Sequence, residues 1–191
     1  IMLHLEESEE MELVPLPSGR IIERWKAHED SETLPLVCAT LPIIGTNKAV
    51  ELLRGSQKRV LPNHWIYWMS EHQKHTEKTP LEALRRGLRE EVGYDLTKDY
   101  YDPHQSILIS YENKGIKLNW LAHLYVVPIH NFSELTPDGK ENVDLRVRPF
   151  NKIVEEALKK GSHYHRFKPE SFLEALNYHT KHVLRDYSGK H

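Results

Sequence analysis

The chain has 191 residues, of which 39% are hydrophobic and 28% are charged, and its formal net charge is −2 at pH 7. This composition is typical of one globular domain with a sizeable core, and it excludes a disordered chain. The slightly negative charge gives no electrostatic basis for binding bulk nucleic acid. No run of residues is long and apolar enough to be a membrane helix, so no membrane association is predicted.

The single cysteine, Cys38, excludes an intrachain disulfide and most cysteine metal sites. It lies in an apolar run and is predicted to be a core residue. A reducing compartment follows, so we expect a cytoplasmic protein. Because Ile1 precedes Met2, we also expect that the chain is a trimmed piece, which leaves a removed targeting segment open.

The chain is predicted to divide at about residue 33. Residues 1–33 are predicted to form an N-terminal extension, partly strand, and residues 34–191 to form the main domain with a C-terminal packing helix. Within the main domain, the β-rich or apolar runs that precede the first long helix are residues 34–44, 49–54 and 60–69. These runs predict the first strands of a central sheet.

A capped helix follows. Thr79 is a good N-cap, Pro80 suits the first helical position, and Glu82 completes a Thr-x-x-Glu capping box. Gly93 provides the C-terminal cap. The apolar residues that recur at spacings of three and four are Leu81, Leu84, Leu88 and Val92. The pattern predicts an amphipathic helix over residues 80–92, with Glu90 and Glu91 projecting away from the leucine stripe.

The second half of the chain continues with strands and helices. Residues 106–111 and 116–129 are predicted strands joined by an Asn- and Gly-containing hairpin turn. The later strand has apolar residues on both sides, which predicts burial on both faces, as in the middle of an α/β/α sandwich. Residues 142–148 are a further predicted strand. Helices are predicted at 150–160 and from Lys168 onward.

Two glutamates at the end of the predicted helix are electrostatically unusual. The C-terminal end of a helix carries partial negative charge, so Glu90 and Glu91 need a compensating cation. Arg86 can supply it at i,i+4 from Glu90, in a solvated, ion-paired surface. A Mg²⁺ ion can also supply it, since hard carboxylate oxygens are its preferred ligands. Gly87, inside the helix, leaves one side of Glu91 open to a close approach.

Residues 72–94 resemble a Nudix box, the signature of diphosphate hydrolases. Its pattern, Gly-x5-Glu-x7-Arg-Glu-aliphatic-x-Glu-Glu-x-Gly-aliphatic, is matched in its second half by Arg86, Leu88, Glu90, Glu91, Gly93 and Tyr94. The pattern's first glycine is His72 here, its first glutamate is Lys78, and the glutamate after the arginine is Gly87. The resemblance implies an α+β fold, a Nudix-like α/β/α sandwich with a mixed central sheet.

The resemblance also implies a site. Glu90 and Glu91 match metal ligands for Mg²⁺ or Mn²⁺, and Arg86 matches the arginine that orients them, so these three are the expected catalytic residues. Glu141 is roughly where some members supply another ligand or base, and Asp138, Asp144 and Glu71 are further candidates. The expected substrate-binding residues are His72, Lys78 and Trp68.

Two functions stay open from the sequence. The first is a metal-dependent hydrolase of a nucleoside diphosphate linked to another moiety, with a degenerate site, because Arg86, Glu90 and Glu91 survive. The second is a catalytically inactive Nudix-fold protein that binds a nucleotide-like ligand or a protein partner, because the signature is lost at His72, Lys78 and Gly87. A third reading, a homo-oligomer or a subunit of a larger assembly, rests on fold reuse alone.

Overall fold

The computed structural model describes Glu9, residues 11–96 and residues 105–186. The strands in these ranges are β1 (Leu13–Pro15), β2 (Ile21–Glu23), β3 (Thr33–Thr40), β4 (Lys48–Arg54), β5 (Trp65–Ile66), β6 (Trp68–His72), β7 (Ser106–Asn113), β8 (Ile116–Val126) and β9 (Asn142–Pro149). The α-helices in the same ranges are α1 (Arg24–Glu29), α2 (Pro80–Val92), α3 (Phe150–Leu158) and α4 (Pro169–Asp186).

The central sheet is mixed. Its strand order is β6-β3-β8-β7, in which β3 runs parallel to β8 and the other neighbours are antiparallel. A second, three-stranded antiparallel sheet has the order β5-β4-β9, and β1 pairs with β2 in a short ribbon. The predicted α+β class with a mixed central sheet is confirmed.

Helices lie on both faces of the central sheet. Successive residues of β6 point to opposite faces, and α2 approaches the face of Met69 and Glu71, both of which lie next to Gly87. On the other face, the Trp68 ring contacts Phe167, which precedes α4, and Phe172, which lies in the first turn of α4. The predicted α/β/α layering is therefore confirmed.

Helix α2 begins and ends where the sequence predicts. The Thr79 side chain accepts a hydrogen bond from the Glu82 backbone N–H, and Pro80 occupies the first turn. Gly93 has φ of 64°, a left-handed conformation that glycine adopts without strain, and caps the helix C-terminus. The leucine face is buried, including Leu84 and Leu88, so packing onto the sheet anchors the helix.

The prediction that the long strand β8 is buried on both faces is wrong for part of its length. Trp120 and Ala122 are buried, but Leu121 and His123 on the opposite face are only half-buried. The reason is that α2 contacts β6 and β3 and leaves the β7 side of that face uncovered. Leu108 on neighbouring β7 is accordingly 65% exposed. Only the last part of β8 is buried on both sides, as predicted.

The N-terminal segment packs against the main domain. Val14 and Ala27 are fully buried members of the same core as the central sheet, and Cys38 is buried as predicted. The division of the chain at residue 33 stays a prediction. None of the helices in the described ranges is both long enough and apolar enough to cross a bilayer.

Candidate functional site

Arg86 is the centre of an ion-pair cluster between α2 and the loop that precedes it. Its guanidinium group contacts Glu77 at 2.6 Å, Glu71 at 3.0 Å and Glu90 at 3.2 Å. It also donates to the backbone oxygen of His72 at 2.7 Å. A planar guanidinium group can satisfy several acceptors at fixed angles. Arg86 therefore fixes the end of β6 and the following loop against the helix.

Glu77, which the sequence reasoning missed, is the loop carboxylate that holds Arg86. The signature places Lys78 at this position, but the Lys78 side chain is exposed, and its backbone N–H donates to Glu82 at 2.8 Å. Glu77 is one residue earlier and reaches Arg86 Nε. The signal in the sequence was a carboxylate directly beside the substituted position.

Glu71 fills the space beside Gly87. A Cβ atom built at Gly87 would lie 2.9 Å from the Glu71 Cβ and 3.2 Å from the Met69 sulfur. The signature's missing glutamate on α2 is thus replaced in space by a glutamate on β6. The Glu71 carboxylate accepts from the His72 N–H and pairs with Arg86. Burial raises the pKa of Glu71 to about 7, against the opposing effect of Arg86.

The structure separates the two helix carboxylates. The Glu90 side chain is 54% exposed and pairs with Arg86. Glu91 is only 1% exposed, so the prediction that both project away from the buried stripe is wrong for Glu91. Glu91 follows Leu84 by seven residues and Leu88 by three, so it lies on the buried face of α2. The loop before β9 also packs over this part of α2, where the Asp138 N–H donates to the Glu91 backbone oxygen at 3.1 Å.

Glu91 is a buried carboxyl group among other charged groups. The Asn142 side-chain amide donates to its Oε2 at 2.6 Å, while its Oε1 has no hydrogen-bond partner within the described residues. Burial raises the pKa of Glu91 well above its usual value, and the nearby carboxylates of Glu141 and Glu71 raise it further. A carboxyl group in this setting is stable in its protonated form.

Glu141, predicted as a metal ligand, is paired with Lys58 instead. Lys58 Nζ lies 2.8 Å from Glu141 Oε2 and 3.5 Å from Glu9 Oε2. Burial opposes ionisation of Glu141, but Lys58, a hydrogen bond with Glu9 and the charge of Arg54 together outweigh it and lower the pKa of Glu141 below its usual value. Glu9 also contacts Arg24 Nη1 at 3.3 Å.

Of these groups, Glu9, Arg24, Lys58, Glu71 and Glu141 line a cleft that lies mainly on the face of the central sheet opposite α2. The lining of this cleft does not include Arg86, Glu90 or Glu91. The cleft encloses about 70 Å³, well below the roughly 300–1,000 Å³ of most small-molecule sites. Its charged lining consists of Arg24, Arg54, Lys58, Arg59, Glu9, Glu71 and Glu141. Its apolar wall includes Trp68, Trp120, Leu36, Ile109, Leu118 and Phe167. The cleft thus combines cations with an aromatic wall.

The predicted substrate-binding residues divide into two groups. His72 and Trp68 line the cleft, and Lys78 lies outside its lining. The Trp120 indole N–H donates to His72 Nε2 at 3.1 Å, so His72 presents a neutral ring with Nε2 as acceptor. Burial, followed by nearby Arg24, lowers the pKa of His72 well below its usual value. The substrate-binding role of these residues stays a prediction.

The described residues do not fit the divalent ion that the signature implies. They include no group of three or more His, Cys, Asp or Glu side chains placed to share an ion. Each expected ligand already has a protein partner, because Glu90 pairs with Arg86, Glu91 accepts from Asn142, and Glu141 pairs with Lys58. A metal held by Glu90 and Glu141 would have to displace both Arg86 and Lys58.

No family model matches the chain, and no curated protein matches it. Solved structures do match it. The MutT protein from Methanosarcina mazei Go1 is 15% identical with a TM-score of 0.52, covering 78% of this chain and 98% of its own. The Nudix hydrolase RenU from M. smegmatis is 12% identical with a TM-score of 0.50, covering 87% of this chain and 92% of its own.

A further match is a bifunctional NMN adenylyltransferase/ADP ribose pyrophosphatase from Francisella tularensis. It is 12% identical with a TM-score of 0.51, and the match covers 78% of this chain and 42% of that chain. At these identities the likeness concerns the fold. The chain has the Nudix fold.

Proposed function

We propose that this Nudix-fold protein binds a small ligand with a nucleotide-like diphosphate group in its cleft, and that the cations of the chain, rather than a divalent metal, meet the phosphates. The observation that carries the proposal is Arg24. Its Nη1 contacts Glu9, while its Nε is buried and has no hydrogen-bond partner within the described residues. A buried guanidinium donor beside a cleft is favourable only if an acceptor can reach it.

The rest of the cleft supports the same ligand class. Lys58 and Arg59 add positive charge beside Arg24, and Trp68 and Trp120 offer aromatic surface for a base. The net charge of −2 argues for a small nucleotide derivative over nucleic acid, since a local cationic patch is sufficient. The buried thiol of Cys38 suits a reducing compartment such as the cytoplasm.

The cleft must open for such a ligand. Its volume of about 70 Å³ is too small for a nucleoside diphosphate. Glu9 is the anion that already pairs with Arg24 and Lys58. An entering diphosphate group would exchange one anion for another at these two cations. We therefore expect binding to depend on displacement of the Glu9 carboxylate.

The test is ligand binding measured by calorimetry with ADP-ribose, ADP and inorganic pyrophosphate. ADP-ribose is included because the name of the Francisella enzyme contains it. The expected result is binding of equal affinity in Mg²⁺ and in EDTA. Arg24→Gln should weaken it by about tenfold or more, the effect of losing one charge-assisted hydrogen bond. The matched control is Arg20→Gln, because Arg20 is an exposed arginine paired with Glu32 outside the cleft. Absence of binding by all three probes contradicts the proposal.

A metal-dependent diphosphate hydrolase is the second candidate, and Glu71 is the observation that favours it. Glu71 returns a carboxylate to the position lost at Gly87, and it lies close enough to Glu91 to raise its pKa. In this alternative, turnover of ADP-ribose in Mg²⁺ or Mn²⁺ is expected, and Glu71→Gln should abolish it. Binding that requires the metal, accompanied by turnover, supports the hydrolase over the metal-independent binder.

A further inference from the structure

Lys58 is buried between carboxylates at the position where the cleft meets the loop before β9. Its side chain is 11% exposed, and its Nζ contacts Glu141 at 2.8 Å and Glu9 at 3.5 Å. An ammonium group loses much of its hydration in such a place, and contacts with carboxylates offset that cost. Glu141 and Glu9 provide that compensation.

The backbone holds Lys58 in this position. The Gly55 N–H donates to the backbone oxygen of Glu141 at 2.8 Å, and the Lys58 N–H donates to Gly55 at 3.2 Å. A Cβ atom at Gly55 would overlap the carbonyl oxygen of Lys140. The turn after β4 can therefore approach the loop before β9 only because residue 55 is glycine, and this approach brings Lys58 to Glu141.

The charged groups around Lys58 also act on Glu91. Lys58 and Arg54 both lower the pKa of Glu91, against burial and the carboxylates of Glu141 and Glu71. Glu91 Oε1 is buried and has no hydrogen-bond partner within the described part of the chain. The positive charge that acts on this buried carboxyl group therefore comes from the side chains of Lys58 and Arg54.

We infer that Lys58 is the resident cation of this site, in which its ammonium group lies between Glu141 and Glu9, takes the place of a divalent ion there and excludes that ion. The inference rests on the proposed function, because it explains how the cleft meets a diphosphate without a metal. The ligand then contacts a fixed ammonium group, and its affinity is independent of divalent ions.

The test uses Mn²⁺ alone, with the free-ion signal followed by electron paramagnetic resonance. Wild-type protein is expected to give no saturable binding at millimolar Mn²⁺. Lys58→Met, whose unbranched side chain is one atom shorter and uncharged, should bind Mn²⁺ at least about tenfold more tightly, since affinity for hard cations follows the net charge of the ligand set. The matched control is Lys48→Met, because Lys48 is exposed at the other end of β4.

A double variant locates the gained site. Lys58→Met combined with Glu141→Gln should lose the gain, because the freed Glu141 carboxylate is then absent. A folded Lys58→Met protein that binds Mn²⁺ no better than wild type overturns the inference. The inference is also overturned if wild-type protein shows saturable Mn²⁺ binding and Glu141→Gln abolishes that binding. This measurement does not require a folded variant of Lys58. If Lys58→Met does not fold, Lys58→Gln replaces it with the same expected gain.

The result is separable from that of the ligand-binding test. Mn²⁺ binding is measured without any nucleotide, so failure of ADP-ribose to bind leaves the role of Lys58 to be judged on the ion alone. The converse outcome is that wild-type protein binds ADP-ribose without a metal and also binds Mn²⁺. This outcome supports the proposed ligand class and refutes the proposed role of Lys58.

Discussion

The Glu71 side chain occupies the space that a side chain at Gly87 would need. The two residues lie on different elements, β6 and α2, and a Cβ at Gly87 would be 2.9 Å from the Glu71 Cβ. Because Glu71 also pairs with Arg86, the glycine and the glutamate form one unit with the arginine. The loss of the signature's glutamate on α2 is therefore coupled to the presence of one on β6.

Because of this coupling, the effect of Gly87→Ala on the free energy of unfolding should change sign when Glu71 is removed. Gly87→Ala should lower the free energy of unfolding by about 1–3 kcal/mol, because the new methyl group overlaps Glu71. In a Glu71→Gly background only the 3.2 Å approach to the Met69 sulfur remains, and this flexible side chain can shift, so Gly87→Ala should stabilise the helix by about 1 kcal/mol. Urea unfolding measures both. The control is Arg89→Ala, an exposed position of α2, with an expected change within about 0.5 kcal/mol. Equal effects in both backgrounds would falsify the coupling.

Replacement of Arg86 by lysine should destabilise the protein. Its guanidinium group joins Glu77, Glu71 and the His72 carbonyl at once, and an ammonium group lacks the fork needed for this. We expect Arg86→Lys to lower the free energy of unfolding by about 1.5–3 kcal/mol.

The matched control is Arg89→Lys on the same helix. Arg89 is 70% exposed and its partner Asp95 is 77% exposed, so the change should cost about 0.5 kcal/mol or less. Thermal or urea unfolding distinguishes the two variants, and a similar small cost for both would mean that the Arg86 cluster is not a structural centre.

Gly55 should be required for the approach of two loops. Gly55→Ala forces its methyl group against the carbonyl oxygen of Lys140, which is backbone and cannot rotate away. We expect a loss of about 1–3 kcal/mol of stability. The exposed neighbour Ser56 provides the control, since Ser56→Ala should be nearly neutral. Unfolding curves that coincide for Gly55→Ala and wild type would show that the loops can separate without cost.

The buried His179 should make the free energy of unfolding depend on pH. It is fully buried, its Nδ1 lies 3.2 Å from the Tyr67 hydroxyl, and burial lowers its pKa to about 3. In the unfolded chain a histidine takes up a proton near pH 6.5. The stabilising contribution is therefore fully present above about pH 6.5 and is lost as the pH falls toward 3, by about 1.4 kcal/mol per unit.

The measurement is urea unfolding of wild type and His179→Gln at a series of pH values between neutral and about 4. The variant should be less stable at neutral pH and should show a shallower loss on acidification. The exposed His165 provides the control, since His165→Gln should keep the wild-type slope. An unchanged slope in His179→Gln would assign the acid sensitivity to other groups.

Much of the fold was predictable because its signals are local. Thr79, Pro80 and Gly93 act on the backbone within a few residues, so the bounds of α2 follow from the sequence. Partial burial of β8 was not predictable, because it depends on which strands α2 covers. The same distinction applies to the site. The i,i+4 pair of Arg86 with Glu90 was expected from the sequence, but the ion pairs of Arg86 with Glu71 and Glu77 and of Glu141 with Lys58 were not.

The sequence by itself determined the capped helix α2 and its acidic end, because periodicity and capping act over one or two turns. The resemblance to the Nudix box implied the α+β fold with a mixed central sheet. Only the tertiary structure decided that the loop before β9 covers Glu91 and that Asn142 donates to its carboxyl group. It alone also decided that Lys58 reaches Glu141, 83 residues away, and that Glu71 fills the space at Gly87. These contacts join separate segments, and their geometry depends on strand register and on the close approach at Gly55, which spacing along the chain does not encode.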